Sequence, residues 1–361
     1  MTIAAAVNEN VANISNYLIY SAMAVYTLAF LAHIAEWVFG SRSKVARTSA
    51  ALAAPDSAPA ASAVAVTVKQ GGGTATLARP KVVTRATSSE RGFADGPGAA
   101  GGTEQGDLYG RIAISLTVLA WALHVGAVVA RAISVQRAPW GNMYEFSTTF
   151  GASAVTAYVV LLALGKKVRW IGLFLTTTVL LDLGLAVSVL YTDSDQLVPA
   201  LHSYWLWIHV SCAIISGAVF YLGAVATLLY LFRDRYETVV MAGGKNEGVW
   251  AHIMYRLPAA ATLDKFAYRV NAMVFPLWTF TIIAGAIWAE AAWGRYWGWD
   301  PKETWSFITW VVYAAYLHAR ATAGWKGRKA AYLALLAFAC FLFNYYGVNI
   351  FITGKHSYAG V

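Results

Sequence analysis

The chain has 361 residues, of which 58% are apolar and only 12% are Asp, Glu, Lys or Arg. An average soluble domain carries roughly 25% charged residues. This composition therefore excludes an ordinary water-soluble domain and indicates an integral membrane protein. The formal net charge of +9 would also fit a protein that binds nucleic acid, so the distribution of the basic residues must decide between the two.

Eight stretches are long and apolar enough to be helices that cross a bilayer, since one crossing needs about 20 apolar residues. We therefore predict an all-α fold, a polytopic bundle of about eight transmembrane helices. The first stretch is full length and lacks a basic start and a small-residue cleavage site, so we interpret it as a retained helix. The predicted spans are 17–39, 111–131, 146–164, 170–190, 204–232, 272–292, 303–320 and 331–352.

Residues 40–107 differ in composition from the rest of the chain. They are mostly Ala, Gly, Pro, Ser and Thr, with scattered charges and no apolar periodicity. Such a segment buries too little surface to offset its chain entropy. We predict three parts: an N-terminal transmembrane helix at 1–39, a disordered linker at 40–107 and a transmembrane domain at 108–361.

The basic residues lie mainly on one side of the predicted spans. Of the 27 Lys and Arg residues, 22 lie in 40–111, 165–170, 233–269 and 320–329. The positive-inside rule places these segments in the cytoplasm and both termini outside. This pattern removes the nucleic-acid interpretation and predicts a multi-pass protein of the cytoplasmic membrane, with the lipid bilayer as its surroundings. A short helix on the membrane surface is expected within 233–269.

A tryptophan-rich segment lies between the sixth and seventh predicted spans, on the outer side. It reads WAEAAWGRYWGWDPKETW over 288–305, and residues 288–310 contain six tryptophans. Asp300, followed by Pro301 and Glu303, predicts the start of a helix with a capping box. A belt of tryptophans at the membrane surface needs fewer indoles than this. We therefore favour a site for a large planar ligand over a packing belt, with Arg295 and Lys302 as partners for negative groups at its edge.

The 288–310 segment resembles the "WWD" signature of the haem-handling proteins of cytochrome c maturation, in particular the CcsA/ResC family of System II. The likeness extends to the motifs at 139–145 (PWGNMYE), 199–210 and 354–359, and covers roughly residues 110–361. It implies that the chain binds haem b as its ligand. The platform would consist of Trp288, Trp293, Trp297, Trp299, Asp300 and Trp305, with Arg295 or Lys302 beside the propionates.

Two histidines lie near the outer ends of predicted spans. His209 belongs to the fifth span and His356 follows the eighth, so both could flank the tryptophan-rich segment. Two neutral imidazoles can hold a haem iron from opposite faces. In the family that the chain resembles, two outward histidines hold haem, and His209 and His356 stand at those motif positions. His202 is expected to be a neighbour of the site.

The remaining histidines have other expected places. His318 lies ~26 Å below the outer surface, at 1.5 Å for each residue after Pro301, which is too deep for the outer haem. The resemblance implies a second, inner haem iron at His318, with its opposing ligand from a partner subunit. His33, at a similar depth of ~24 Å, is an alternative opposing ligand. The role of His124 stays open, and His252 is expected to be solvated.

Two acidic residues within the spans have structural interpretations. Asp182 lies in the middle of the fourth span, where an ionisable side chain needs a partner, and we expect it to hydrogen-bond to a neighbouring helix. Glu36 is interpreted as marking the cytoplasmic interface.

The resemblance implies a membrane subunit that presents haem outside for thioether attachment to the CxxCH motifs of apocytochrome c. The chain has two cysteines and no CxxC of its own, so the thiols must come from the substrate. The implied partners are a second, ResB-like membrane subunit and a thioredoxin-like thiol reductant, and any haem lyase activity would belong to the complex. One alternative is a membrane b-type cytochrome that passes electrons to quinone. Another is a transporter without haem, but the sequence lacks the expected broken helices in repeated halves.

Overall fold

The computed structural model describes residues 7–39, 93–99, 108–195, 203–244, 248–322 and 324–356. This part of the chain is almost entirely helical and contains no strand. Residues 40–92 and 100–107 of the predicted linker, and also His202, lie outside the described residues.

Ten α-helices follow one another along the described chain. Three shorter turns lie between them: a 3-10 turn, Arg169–Ile171, and two π-helical turns, Leu206–Val210 and Phe343–Gly347. The helices are α1 Glu9–Phe39, α2 Leu108–Val135, α3 Met143–Ala163, α4 Gly172–Ser188, α5 Ser211–Met241, α6 Val249–Arg256, α7 Ala260–Trp293, α8 Pro301–Ala321, α9 Arg328–Leu342 and α10 Val348–Phe351.

Seven helical segments of the described chain are long and apolar enough to cross a membrane. They correspond to seven of the eight predicted spans, so the prediction of an all-α, multi-pass membrane bundle is confirmed. The remaining predicted span, 303–320, is part of α8, whose 21 residues make it long enough at 1.5 Å per residue. Because α8 is more polar than the others, its crossing stays a prediction, and so does the sidedness of the termini.

Small residues allow the helices to approach closely. α1 and α2 pack along each other through Ala22, Ala29, Ala120 and Ala127, all of which are fully buried. Close contact between backbones is the usual source of helix association in lipid. Large apolar side chains such as Leu28 point outward instead and are exposed. The outside of the bundle is therefore suited to hydrocarbon and the inside to close packing.

Buried polar side chains join α1, α2 and the start of α4. Glu36 is 1% exposed and accepts a hydrogen bond from Arg169 at 2.5 Å. His33 contacts Glu36 through Nδ1 and Thr117 through Nε2, both at 3.3 Å. Glu36 thus belongs to an internal hydrogen-bond network, and its interpretation as a marker of the cytoplasmic interface stays a prediction. The expectation for Asp182 is confirmed, since it accepts a hydrogen bond from Tyr346 at 3.1 Å.

Residues 93–99, part of the predicted disordered linker, form defined hydrogen bonds with the rest of the chain. The backbone N–H groups of Gly96 and Gly98 donate to the carbonyl groups of Leu257 and Arg256. Asp95 accepts a hydrogen bond from the N–H of Ala259, at the start of α7. This end of the linker is thus attached to the connection between α6 and α7. The short helix predicted within 233–269 is found as α6.

Candidate functional site

A large, half-open cavity lies where the first turn of α8 meets the second half of α7 and the two π-helical turns. The space between its walls is about 1370 Å³ when the open mouth is included. Nine aromatic residues line it, together with both His209 and His356. The aromatic lining residues are Trp140, Phe146, Trp278, Trp288, Trp293, Tyr296, Trp297, Phe341 and Tyr345.

His209 lies in the first π-helical turn, and its ring is held by α7. Its Nδ1 lies 2.9 Å from the carbonyl oxygen of Thr281. Because a carbonyl can only accept, Nδ1 must carry the proton, and Nε2 keeps a free lone pair. A Cβ atom at Gly285 would lie 2.6 Å from the imidazole, so glycine makes room for the ring. The edge of Trp288 completes its surroundings, 5.8 Å away between ring centroids.

His356 is held by the residue that caps α8. Its Nδ1 lies 3.0 Å from Oδ1 of Asp300, and its ring meets Trp293 edge-on at 4.8 Å. Asp300 also accepts from the N–H of Lys355 at 2.8 Å and of Lys302 at 3.4 Å. Burial alone would raise the pKa of Asp300, but the hydrogen bonds from His356 and Lys355 outweigh it and hold the pKa below its ordinary value. An ionised Asp300 keeps the proton of His356 on Nδ1, so Nε2 is again free.

The predicted capping box at the start of α8 is confirmed. Asp300 caps the helix, and Glu303 accepts in return from the N–H of Asp300 at 3.1 Å and of Gly298 at 2.8 Å. One local motif therefore fixes the start of the helix, the turn before it and the orientation of His356.

The two basic residues predicted to meet negative groups have different positions. Lys302 lines the cavity, and its Nζ donates to the carbonyl of Asn344 at 2.7 Å. Arg295 pairs instead with Glu303 at 3.4 Å, and its guanidinium crosses Gly298, where a Cβ would collide with it. Arg295 is not among the lining residues.

The predicted aromatic platform is only partly assembled around the cavity. Trp288, Trp293 and Trp297 line it together with the two histidines. Trp299 does not line it: its side chain is 66% exposed, its φ is +57° and its ring meets Trp297 edge-on. Trp305 packs on Phe343 at 4.2 Å, also outside the lining.

The histidines expected elsewhere are not brought to this cavity. His318 is exposed on α8, so its ring faces the surroundings of the bundle. His33 is engaged at both ring nitrogens, which argues against it as an opposing ligand for His318. His124 is fully buried, with Nδ1 3.5 Å from the hydroxyl of Tyr26. His252 is exposed, as predicted.

Sequence reasoning missed the wall formed by Trp140. Its Nε1 donates to the carbonyl of Leu206 at 3.2 Å, beside the turn that carries His209. The loop that holds Trp140 is fixed by Glu145, a fully buried carboxylate that pairs with Arg131 at 3.1 Å and Arg137 at 2.7 Å. The motif at 139–145 is visible in the sequence, but nothing in it indicates contact with Leu206, in a turn more than 60 residues away.

Several polar atoms on the walls have no hydrogen-bond partner within the described chain. They are Nε1 of Trp278, Nε1 of Trp288 and Oδ1 of Asn344, all buried. Buried polar groups are nearly always paired in folded proteins. An aromatic cavity with unpaired donors and two free imidazole nitrogens is suited to a large, flat, metal-containing ligand. The fold and site thus define a multi-pass membrane protein with a two-histidine aromatic cavity.

Comparison with known proteins identifies the family. Residues 140–356, more than half of the chain, match the family described as cytochrome c assembly protein. A cytochrome c biogenesis protein CcsA of Synechococcus sp. (strain JA-3-3Ab) is 35% identical over 297 residues, which cover 70% of this chain and 84% of the relative. CcsA of Synechocystis sp. is 38% identical over 266 residues (61% and 79%), and CcsA of Mesostigma viride is 36% identical over 235 residues (61% and 77%). The chain therefore belongs to the cytochrome c assembly protein family, and the resemblance to CcsA/ResC proteins is confirmed.

Proposed function

We propose that this chain binds haem b in the cavity and presents it on the extracytoplasmic side of the cytoplasmic membrane for thioether attachment to apocytochrome c. Membership of the family gives the chain a role in cytochrome c maturation and in haem handling. One observation carries the finer proposal. His209 and His356 line one cavity, and each is fixed through Nδ1 so that Nε2 is free.

The chemistry of the site fits haem as cargo. Iron binds neutral imidazole, and a hydrogen bond from the other ring nitrogen orients the ring and raises its basicity. The indoles of Trp288, Trp293 and Trp297 offer flat apolar walls to a porphyrin. In the attachment reaction, a substrate thiol adds across a vinyl group, with sulfur bonding to one carbon and hydrogen to the other. The chain contributes positioning, and the reactive groups belong to the haem and the substrate.

The partners follow from this chemistry. The two cysteines are free and lie on different helices, Cys212 in α5 and Cys340 in α9, so the chain offers no dithiol and the substrate supplies the CxxCH thiols. A thioredoxin-like reductant would keep those thiols reduced. A ResB-like second subunit would complete the complex that holds any lyase activity. The exposed position of His318 supports an inner haem whose second ligand comes from that subunit.

A binding experiment tests the outer site. We expect the full chain, purified from haem-replete cells, to carry low-spin haem, and the His209→Ala, His356→Ala double variant to lose that spectrum at the outer site. His252→Ala, an exposed histidine outside the cavity, serves as the matched control and keeps the spectrum. An unchanged bis-histidine spectrum in the double variant would reject the assignment.

The electron-transfer alternative requires paired histidines that face each other inside the bundle. Within the described spans, His33 bonds to Glu36 and Thr117, and His124 lies against Tyr26. These contacts do not favour a b-type cytochrome. Sustained quinone turnover, with normal c-type cytochromes in a deletion strain, would favour it over the present proposal.

A further inference from the structure

One wall of the cavity carries a cluster of three polar residues joined by hydrogen bonds. Lys302 and Ser306 come from the first turns of α8, and Asn344 comes from the π-helical turn Phe343–Gly347. Other polar lining residues are Asn142, Thr281, Glu303 and Asn349, and the carboxylate of Glu303 is already engaged by Arg295 and by the N–H groups of Gly298 and Asp300. Most of the remaining lining is aromatic or small. On the basis of the proposed haem binding, we propose that Lys302, Ser306 and Asn344 bind the propionate groups of haem and so turn its vinyl edge toward the mouth of the cavity.

Lys302 has the charge and the free donors that a carboxylate requires. An ammonium group has three donors, and in the described part of the chain Nζ of Lys302 uses one of them, for the carbonyl of Asn344 at 2.7 Å. Within the described residues it forms no ion pair. The guanidinium groups of Arg169, Arg233 and Arg320 all pair with carboxylates. Lys302 differs from them because its ammonium group forms no such pair, although the charge of Asp300 acts on it.

Ser306 and Asn344 extend this wall with neutral donors. The amide Nδ2 of Asn344 lies 2.9 Å from Oγ of Ser306, while Oδ1 of Asn344 is buried without a partner. Turning the amide by 180° lets its oxygen accept from the Ser306 hydroxyl and leaves its NH₂ group for a ligand. Because Asn344 is 7% exposed, leaving either amide atom unpaired is costly, and a carboxylate oxygen removes that cost.

Arg295 is the other candidate, and its contacts argue against it. It is paired with Glu303 and does not line the cavity. Binding a propionate would require it to exchange one carboxylate for another and to leave the groove over Gly298. Arg295 therefore serves as a matched control for Lys302.

The orientation that follows is the one that attachment needs. The two propionates of haem b leave one edge of the porphyrin, and the vinyl groups lie on the other two pyrroles. Among the lining residues, Tyr296 is 61% exposed, so the cavity is open to the outside. With the propionates held at Lys302, the vinyl groups lie away from this polar wall and toward the open side of the cavity, where substrate thiols can reach them.

The test uses the full chain and three porphyrins: haem, its dimethyl ester and mesohaem, in which the vinyl groups are reduced. Binding is followed by Soret titration. In the wild-type chain we expect esterification to weaken binding by roughly tenfold or more, as for the loss of a charge-assisted hydrogen bond, and mesohaem to bind as haem does. Lys302→Met should weaken haem binding and abolish the difference between haem and ester. Lys302→Arg and Arg295→Met should keep it.

The outcomes separate this inference from the proposed function. Equal affinities of the wild-type chain for haem and its ester, both with bis-histidine spectra, would overturn the propionate wall and leave haem binding intact. The same inference fails if Arg295→Met abolishes the difference between the two porphyrins. If no porphyrin binds, the proposed function fails as well. Because the ester is compared on the wild-type chain, the test does not depend on the folding of any variant.

Discussion

The two ends of the helix bundle differ in how completely their charged and polar side chains are paired. At the end opposite the cavity, carboxylates and guanidinium groups pair with one another, as in Arg233–Glu237, Arg320–Asp264 and Arg328–Asp234. At the cavity end Arg295 also pairs with Glu303, but Lys302 and Asn344, which line the cavity, keep unused donors or acceptors. The comparison teaches that charge in the bundle has two uses: paired groups hold the helices together, and unpaired groups around an open space are available to a ligand.

The largest effect is expected from breaking the ion pair between Arg233 and Glu237, at the end of the bundle opposite the cavity. Glu237 is fully buried and accepts from Arg233 and from the N–H of Ala260, both at 2.9 Å. Glu237→Gln leaves the guanidinium of Arg233 without its counter-charge, and we expect a loss of about 3–5 kcal/mol in the free energy of unfolding. Thermal unfolding in detergent measures it, with the exposed Glu9→Gln as control. Haem bound per folded molecule should not change; a selective loss of haem would contradict the comparison.

The next largest effect is expected from Asp300, which orients the proposed iron ligand His356 at the cavity end. Asp300→Asn keeps a good helix cap but removes the charge beside His356. We expect haem affinity to fall by roughly ten- to a hundredfold, as for other partners of metal-binding histidines, together with a loss of stability at neutral pH, because the ionised form of Asp300 stabilises the folded state. Soret titration gives the affinity. Unaltered affinity would show that Asp300 serves the helix start alone.

The effect of Asp300→Asn on stability should depend on pH. Because hydrogen bonds hold the pKa of Asp300 below its ordinary value, its ionised form stabilises the folded state above about pH 4. That contribution is lost as the pH falls through the lowered pKa. The difference in melting temperature between wild type and Asp300→Asn should therefore stay constant from pH 7 to about pH 5 and shrink in more acidic solution. A difference that grows on acidification contradicts the assignment.

A smaller effect is expected from filling the space beside His209. The Cβ of Gly285→Ala would lie 2.6 Å from the imidazole and displace it, so haem affinity should fall by about tenfold. Gly184→Ala, in α4, meets nothing within 4 Å and is the matched control. Equal haem spectra and affinities for the two variants would mean that His209 does not hold the iron.

The smallest effect separates the two groups of tryptophans. Trp299 is exposed and outside the cavity lining, so Trp299→Phe should change haem affinity by less than about twofold. Trp297→Phe, which alters a lining residue, should have the larger effect in the same titration. The reverse order would place the platform on the exposed side of the segment.

Features that depend on neighbouring residues could be predicted from the sequence, whereas contacts between distant residues could not. The capping box at Asp300 was predictable because it depends on residues three positions apart, and the spans were predictable from length and hydropathy. The sequence did not predict which of Lys302 and Arg295 lines the cavity, because this depends on the direction in which each side chain points near the turn at Gly298. The ion pair of Glu36 with Arg169 joins residues 133 positions apart, and no local pattern contains it.

The winding of the turn Leu206–Val210 determines where His209 points. A π-helical turn holds one residue more than the α-helix around it, and His209 lies within it. Deleting a single residue there would restore regular winding, rotate the preceding chain by about 100° and shift it by about 1.5 Å. The carbonyl of Leu206 would then move away from Trp140. The number of residues in this turn therefore sets the direction of the imidazole of His209.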